Sequence, residues 1–101
     1  MKRPPNYKQD RLDRRLAVAL HYKPGQDSAP RISAKGYGYI ADAIVELARQ
    51  HGVPLRQDPE LSGLLAAVEL GEEIPPALFE AVAEVLAFVY RLNLQAQART
   101  S

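Results

Sequence analysis

The chain contains no cysteine, which excludes disulfides and thiolate chemistry and fits a cytoplasmic protein. Long hydrophobic runs are missing too. No stretch approaches the roughly 18 apolar residues that a membrane-spanning helix requires. The first residues carry charge but lack the apolar segment of a secretory signal. Histidine is scarce, with only His21 and His51. A zinc site takes four ligands, or three and a water, so two histidines on separate elements predict no metal site. Ser28 follows Asp27 in a loop, but no G-x-S-x-G elbow surrounds it. Internal repeats and low-complexity tracts are also lacking. These absences together predict no enzyme and no cofactor.

The 101 residues fit one domain with a core of limited size. The net charge of +1 conceals an asymmetry. Lys2, Arg3, Lys8, Arg11, Arg14 and Arg15 outweigh Asp10 and Asp13, which leaves +4 on residues 1–15 and −3 on the remainder. Such an arm suits nucleic acid, an anionic surface or an acidic partner, or simply keeps the protein soluble. Residues 1–15 are therefore read as a flexible basic arm.

Periodicity then predicts six elements. Ala17–Tyr22 is a short apolar run with a β-branched and an aromatic residue, a strand that spans 16–22. The loop KPGQDSAP follows, and residues 31–34 form a second strand. A helix over 36–50 places Ile40, Ile44, Leu47 and Ala48 on one face, and His51-Gly52 ends it. Val53–Arg56 reads as a third short strand, with Pro54 near its start or on an edge. Asp58-Pro59-Glu60 opens a further helix through Leu61, Leu64, Leu65 and Val68. Pro75-Pro76 opens the last one, over about 76–92. Leu78, Phe79, Val82, Val85, Leu86 and Val89 leave that helix too apolar for a single buried face. The polar tail, 94–101, is expected to fray. The predicted architecture is a small α/β sandwich: a short mixed sheet of about three strands packed with three helices. The order is strand, strand, helix, strand, helix, helix. The strand–helix–strand unit over 31–57 implies a right-handed parallel crossover.

Candidate chemistry is thin. Lys35-Gly36-Tyr37-Gly38 lies between a strand and a helix, where backbone amides hold anions, but it lacks the full phosphate-loop pattern. A tight strand-to-helix turn explains those glycines equally well. Tyr37 and Tyr39 offer stacking faces without the basic flanks that nucleic-acid binding needs. Glu72-Glu73 are adjacent loop carboxylates, not a tuned acid–base pair.

Three segments carry a resemblance. They are AVALHYKPGQDSAPRISAKG, ELARQHGVPLRQDPELSGLL and VELGEEIPPALFEAVAEVLAFVYRLN. Their order and spacing over residues 16–93 resemble the C-terminal cytoplasmic domain of the FlhB/YscU export-switch proteins of type III secretion. The most specific parts are Ala34-Lys35-Gly36, His51-Gly52-Val53-Pro54, Gly71 through Pro75, and Ala81 through Ala87. The resemblance implies that residues 16–93 form such a domain. In the family, that domain cleaves itself at an Asn-Pro-Thr-His motif just before the strand that here starts at Leu16. The matching positions are Leu12, Asp13, Arg14 and Arg15, and no Asn-Pro pair occurs in the chain. Without the asparagine amide there is no nucleophile for that reaction.

The resemblance also implies an interaction module of the flagellar export apparatus. It is expected in the cytoplasm, peripheral at that apparatus, and similar to short free-standing proteins that carry only this domain. Its partners would be export substrates of the rod and hook type and export-gate cytoplasmic domains. The family's substrate patch maps onto Ala29, Pro30, Ala83 and Leu86. One alternative is a regulator that competes with the anchored export switch. Another, of a different class, is a nucleic-acid-binding adaptor that uses the basic arm. Losing the family's strand ahead of the motif predicts that strand 16–22 is an open sheet edge, free to pair with a partner strand or to self-associate.

Overall fold

Two antiparallel strands, three α-helices and one 3-10 turn make up the computed structural model, which describes residues 15–100. Residues 1–14, most of the basic arm, lie outside the described residues. Strand β1 is Leu16–His21 and β2 is Arg31–Tyr37. Helix α1 is Tyr39–Gln50, α2 is Pro59–Ala66, and α3 is Phe79–Thr100 behind a turn at Pro76–Leu78.

β2 is longer than the sequence predicts. Lys35 and Gly36 pair with Val18 and Ala17 in the ladder, so the chain stays extended as far as Tyr37. The register slips beyond Ala19 and leaves Ser33 as the extra residue of a bulge. Gly38 then turns the chain at φ 60° and ψ −122°, a conformation open to glycine and costly to other residues. Gly36 is needed for a different reason: a Cβ there would stand 2.1 Å from Ile40 Cγ2 and 2.7 Å from its Cβ. The Lys35–Gly38 stretch is thus a tight strand-to-helix junction. Its lysine is occupied as well, since Nζ donates to the carbonyls of Ala66 (2.9 Å) and Val68 (2.7 Å). A cation there satisfies two carbonyls that the end of α2 leaves open.

The third strand expected at Val53–Arg56 is not formed, and with it goes the parallel crossover. The cause is the end of α1. Gly52 N–H donates to Arg49 O and Val53 N–H to Ala48 O, which is a Schellman cap with Gly52 at φ 68°. Val53 has spent its donor on the helix and Pro54 has none, so two successive residues have nothing to offer a ladder. Arg56 holds the segment down by donating to Glu84 O and lying 5.6 Å from the Phe88 ring centroid. The third row of backbone comes from elsewhere. Gly71 N–H donates to Ile32 O, Ile32 N–H to Glu72 O, and Ile74 N–H to Pro30 O. One antiparallel bridge, Arg31 to Glu73, marks this row.

The buried side of α1 also differs from expectation. Ala41 is buried and Ile44, Val45 and Ala48 are half-buried, whereas Ile40 and Leu47 are about three-fifths exposed, at 60% and 57%. The close approach at Gly36 packs the helix by its small residues and rolls Ile40 outward. α2 starts as its sequence predicts: the Asp58 carboxylate accepts from Leu61 N–H (3.1 Å) and Pro59 follows. It stops at Ala66, two residues short of Val68, because Ala67 and Val68 N–H reach back three residues to Leu64 and Leu65. α3 continues past residue 92 to Thr100, through a segment rich in the strong helix formers leucine, glutamine, alanine and arginine. The core joins Ile32, Leu61, Leu65, Ile74 and Val82, with Val18, Leu20, Val68 and Val85 packed against it.

Two substitutions check this account. Gly36→Ala forces backbone and Ile40 apart and should lower unfolding stability by about 1–3 kcal/mol. Asp58→Ala removes the cap of α2 and should cost about 1 kcal/mol. Urea unfolding of each variant reads both values.

Candidate functional site: an apolar groove between the strand loop and the last helix

The β1–β2 connection folds back through a turn in which Lys23 N–H donates to the Asp27 carboxylate (2.8 Å), and Asp27 N–H to Lys23 O. The turn delivers Ser28, Ala29 and Pro30 to one side of an open groove of about 180 Å³, beside Tyr22. Helix α3 supplies the facing wall with Phe79, Val82, Ala83 and Leu86, one stripe at spacings of three and four. Ile74 closes the end. Ala29, Pro30, Ile74 and Val82 are buried and form the floor. Ala83 is exposed, Leu86 is half-buried, and Phe79 stands at the rim 43% exposed.

The structure therefore brings Ala29, Pro30, Ala83 and Leu86 around a single groove, although more than fifty residues separate the two pairs. Sequence reasoning did not pick out Tyr22, Phe79, Val82 or Ile74 for this site. Phe79 and Val82 were findable, because they share the helical stripe of Ala83 and Leu86. Ile74 was not, since it arrives through the backbone row 71–74, its bond to Pro30 O and its packing in the core.

A polar clip holds the outer wall. Ser28 Oγ donates to Glu73 Oε2 (2.6 Å), and Arg31 lies 3.5 Å from the same oxygen while also donating to Gly71 O. These groups bind loop 28–31 to the backbone row 71–74. Exposed pairs of this kind contribute little energy, but they fix the spacing between two walls that have no covalent link nearby. The chemistry open to the groove is the burial of apolar side chains. Among the described residues, no cluster of three or more His, Cys, Asp or Glu is placed to hold a metal ion. Nor is any described helix long and apolar enough to cross a membrane.

The FlhB HrpN YscU SpaS family model matches residues 14–89. The chain belongs to that family. Among FlhB/YscU relatives, the protein YlqH of Bacillus subtilis (strain 168) is 44% identical over 79 residues, which cover 78% of this chain and 85% of YlqH. The flagellar biosynthetic protein FlhB of Aquifex aeolicus (strain VF5) is 48% identical over 75 residues. That match covers 73% of this chain but 21% of the Aquifex protein, so the chain spans about a fifth of that relative. The crystal structure of the cytoplasmic domain of FlhB from Shewanella putrefaciens superposes with a TM-score of 0.78 at 35% identity. It covers 84% of this chain and 67% of that one. The fold here is thus that of an FlhB/YscU cytoplasmic domain.

Removing the clip tests its structural role. Ser28→Ala should lower stability by no more than about 1 kcal/mol and shift the backbone amide signals of Ala29 and Ile74, read by urea unfolding and by NMR.

Proposed function

We propose that this chain is a non-enzymatic docking module of the flagellar type III export apparatus. It receives a short, extended, apolar segment of an export substrate of the rod or hook type, or of an export-gate cytoplasmic domain. The observation that carries this reading is the groove: an open apolar surface flanked by Phe79 and Ala83, which burial in the domain's own core does not account for. Family membership supplies the setting. The same four positions, Ala29, Pro30, Ala83 and Leu86, supply the contact surface. The absence of an Asn-Pro pair removes the nucleophile for self-cleavage and leaves the groove intact.

The groove's size sets the expected strength. About 180 Å³ holds one or two aliphatic side chains, each worth about 1.5–3 kcal/mol when fully buried. That is at most about 6 kcal/mol before the cost of association, so the groove alone binds no tighter than about the millimolar range. Such weak binding suits passing substrates, which must leave again.

Titrating the isotope-labelled chain with peptides from early flagellar subunits, and with the gate's cytoplasmic domain, tests the reading. Saturable amide shifts should centre on Ala29, Ala83 and Leu86. Ala83→Asp should weaken the affinity at least about tenfold. Binding should change little with salt, unlike attachment to nucleic acid. Absence of saturable shifts with every export component, or full affinity in Ala83→Asp, would overturn it.

A further inference from the structure

β1 uses only one of its two edges. Gly38 N–H donates to Arg15 O, so the backbone of Arg15 faces β2. Ile32 spends its N–H and C=O on Glu72 and Gly71, so it faces away from β1. Its ladder partner Leu20 must then face outward, by the alternation of an antiparallel pair. Counting along the strand, the backbone groups of Leu16, Val18 and Leu20 all point to the outer edge. Among the described residues no backbone pairs with them. From Leu16 to Leu20 the edge carries no charge and no proline, two of the usual guards against strand addition.

That stretch reads Leu-Ala-Val-Ala-Leu, the same in both directions. We infer that this edge pairs with the same edge of a second copy, antiparallel about a two-fold axis at Val18. A two-fold interface requires a surface complementary to itself, and the palindrome supplies one. Leu16 meets Leu20 of the second copy, Ala17 meets Ala19, and Val18 meets Val18. The register also satisfies the backbone. Outward-facing residues fall only opposite outward-facing residues, so three facing pairs each exchange two hydrogen bonds. Leu16, Val18 and Leu20 share one face, and Val18 and Leu20 already pack on the core. Pairing therefore runs one core face into the next. At the ends, Arg15 of one copy lies beside His21 of the other, and each has a carboxylate in its own copy: Arg15 Nη1 is 2.6 Å from Asp42, and His21 Nε2 is 3.8 Å from Asp27. The paired edge contributes nothing to the groove, so this inference stands or falls independently of peptide docking.

Amide exchange on the full chain, at about 10 µM and about 1 mM with the mass measured at each, reads it by mass action. Protection at Val18 and Leu20 should rise at least about tenfold with concentration as the mass doubles, while Ala17 and Ala19 stay protected throughout. Val18→Pro removes an outward N–H that β2 does not use, and should give a folded monomer. If that variant does not fold, Leu16→Pro, at the first strand position, makes the same test. Fast exchange at both concentrations would overturn the inference, as would dimers that persist in the folded proline variants. Protection in a monomer independent of concentration would also overturn it, and would assign the edge to residues 1–14 of the same chain.

Discussion

Ile32 is entirely shielded from solvent, and both its backbone groups leave the β1–β2 ladder to hold the segment at Gly71 and Glu72. Much of the molecule hangs on that point. The side chain joins α2 and α3 through Leu61, Leu65 and Val82. The backbone draws in the connection between those helices, and Ile74 then fixes Pro30. Because the turn into α3 starts at Pro76, the same bonds set where the last helix begins. The groove walls are therefore positioned by the centre of the fold, not by the loops that carry them.

The apolar excess of α3 follows from serving two surfaces. Val82 reaches the core and also floors the groove, while Ala83 and Leu86, one and four residues on, face the groove. Alanine at 83 keeps that wall low. Phe79 makes the rim at the helix start, where a 3-10 turn and two prolines leave it few neighbours.

Elements written in local chemistry were legible from the sequence. Asp58-Pro59 marked the start of α2, and His51-Gly52 marked the end of α1. The third row of the sheet was not. Val53–Arg56 has the composition of a strand, but the helix cap takes its first donor and Pro54 lacks the second. The segment that does pair, Gly71–Ile74, shows no alternation, because only three backbone bonds, two to Ile32 and one to Pro30, define it. On α1, periodicity put Ile40, Ile44, Leu47 and Ala48 on one face, whereas Ala41, Ile44, Val45 and Ala48 make the inner side. Which side turned inward depended on contact between Gly36 and Ile40, neighbours the hydrophobic pattern does not register. For the groove, Ala29, Pro30, Ala83 and Leu86 were nominated by family resemblance. No spacing rule connects a loop with a helix fifty residues away, and Tyr22 arrives only through the chain reversal after β1.

The bonds from Gly71, Glu72 and Ile74 have a consequence for growth. Those of Gly71 and Glu72 occupy the outward backbone groups of Ile32, so at that point of β2 an incoming strand meets a row already in place. In the vocabulary of polymer chemistry the two sides of the sheet differ in functionality: among the described residues the β1 side offers an apolar stretch of unused groups, and the opposite side is capped at its centre by a short connection.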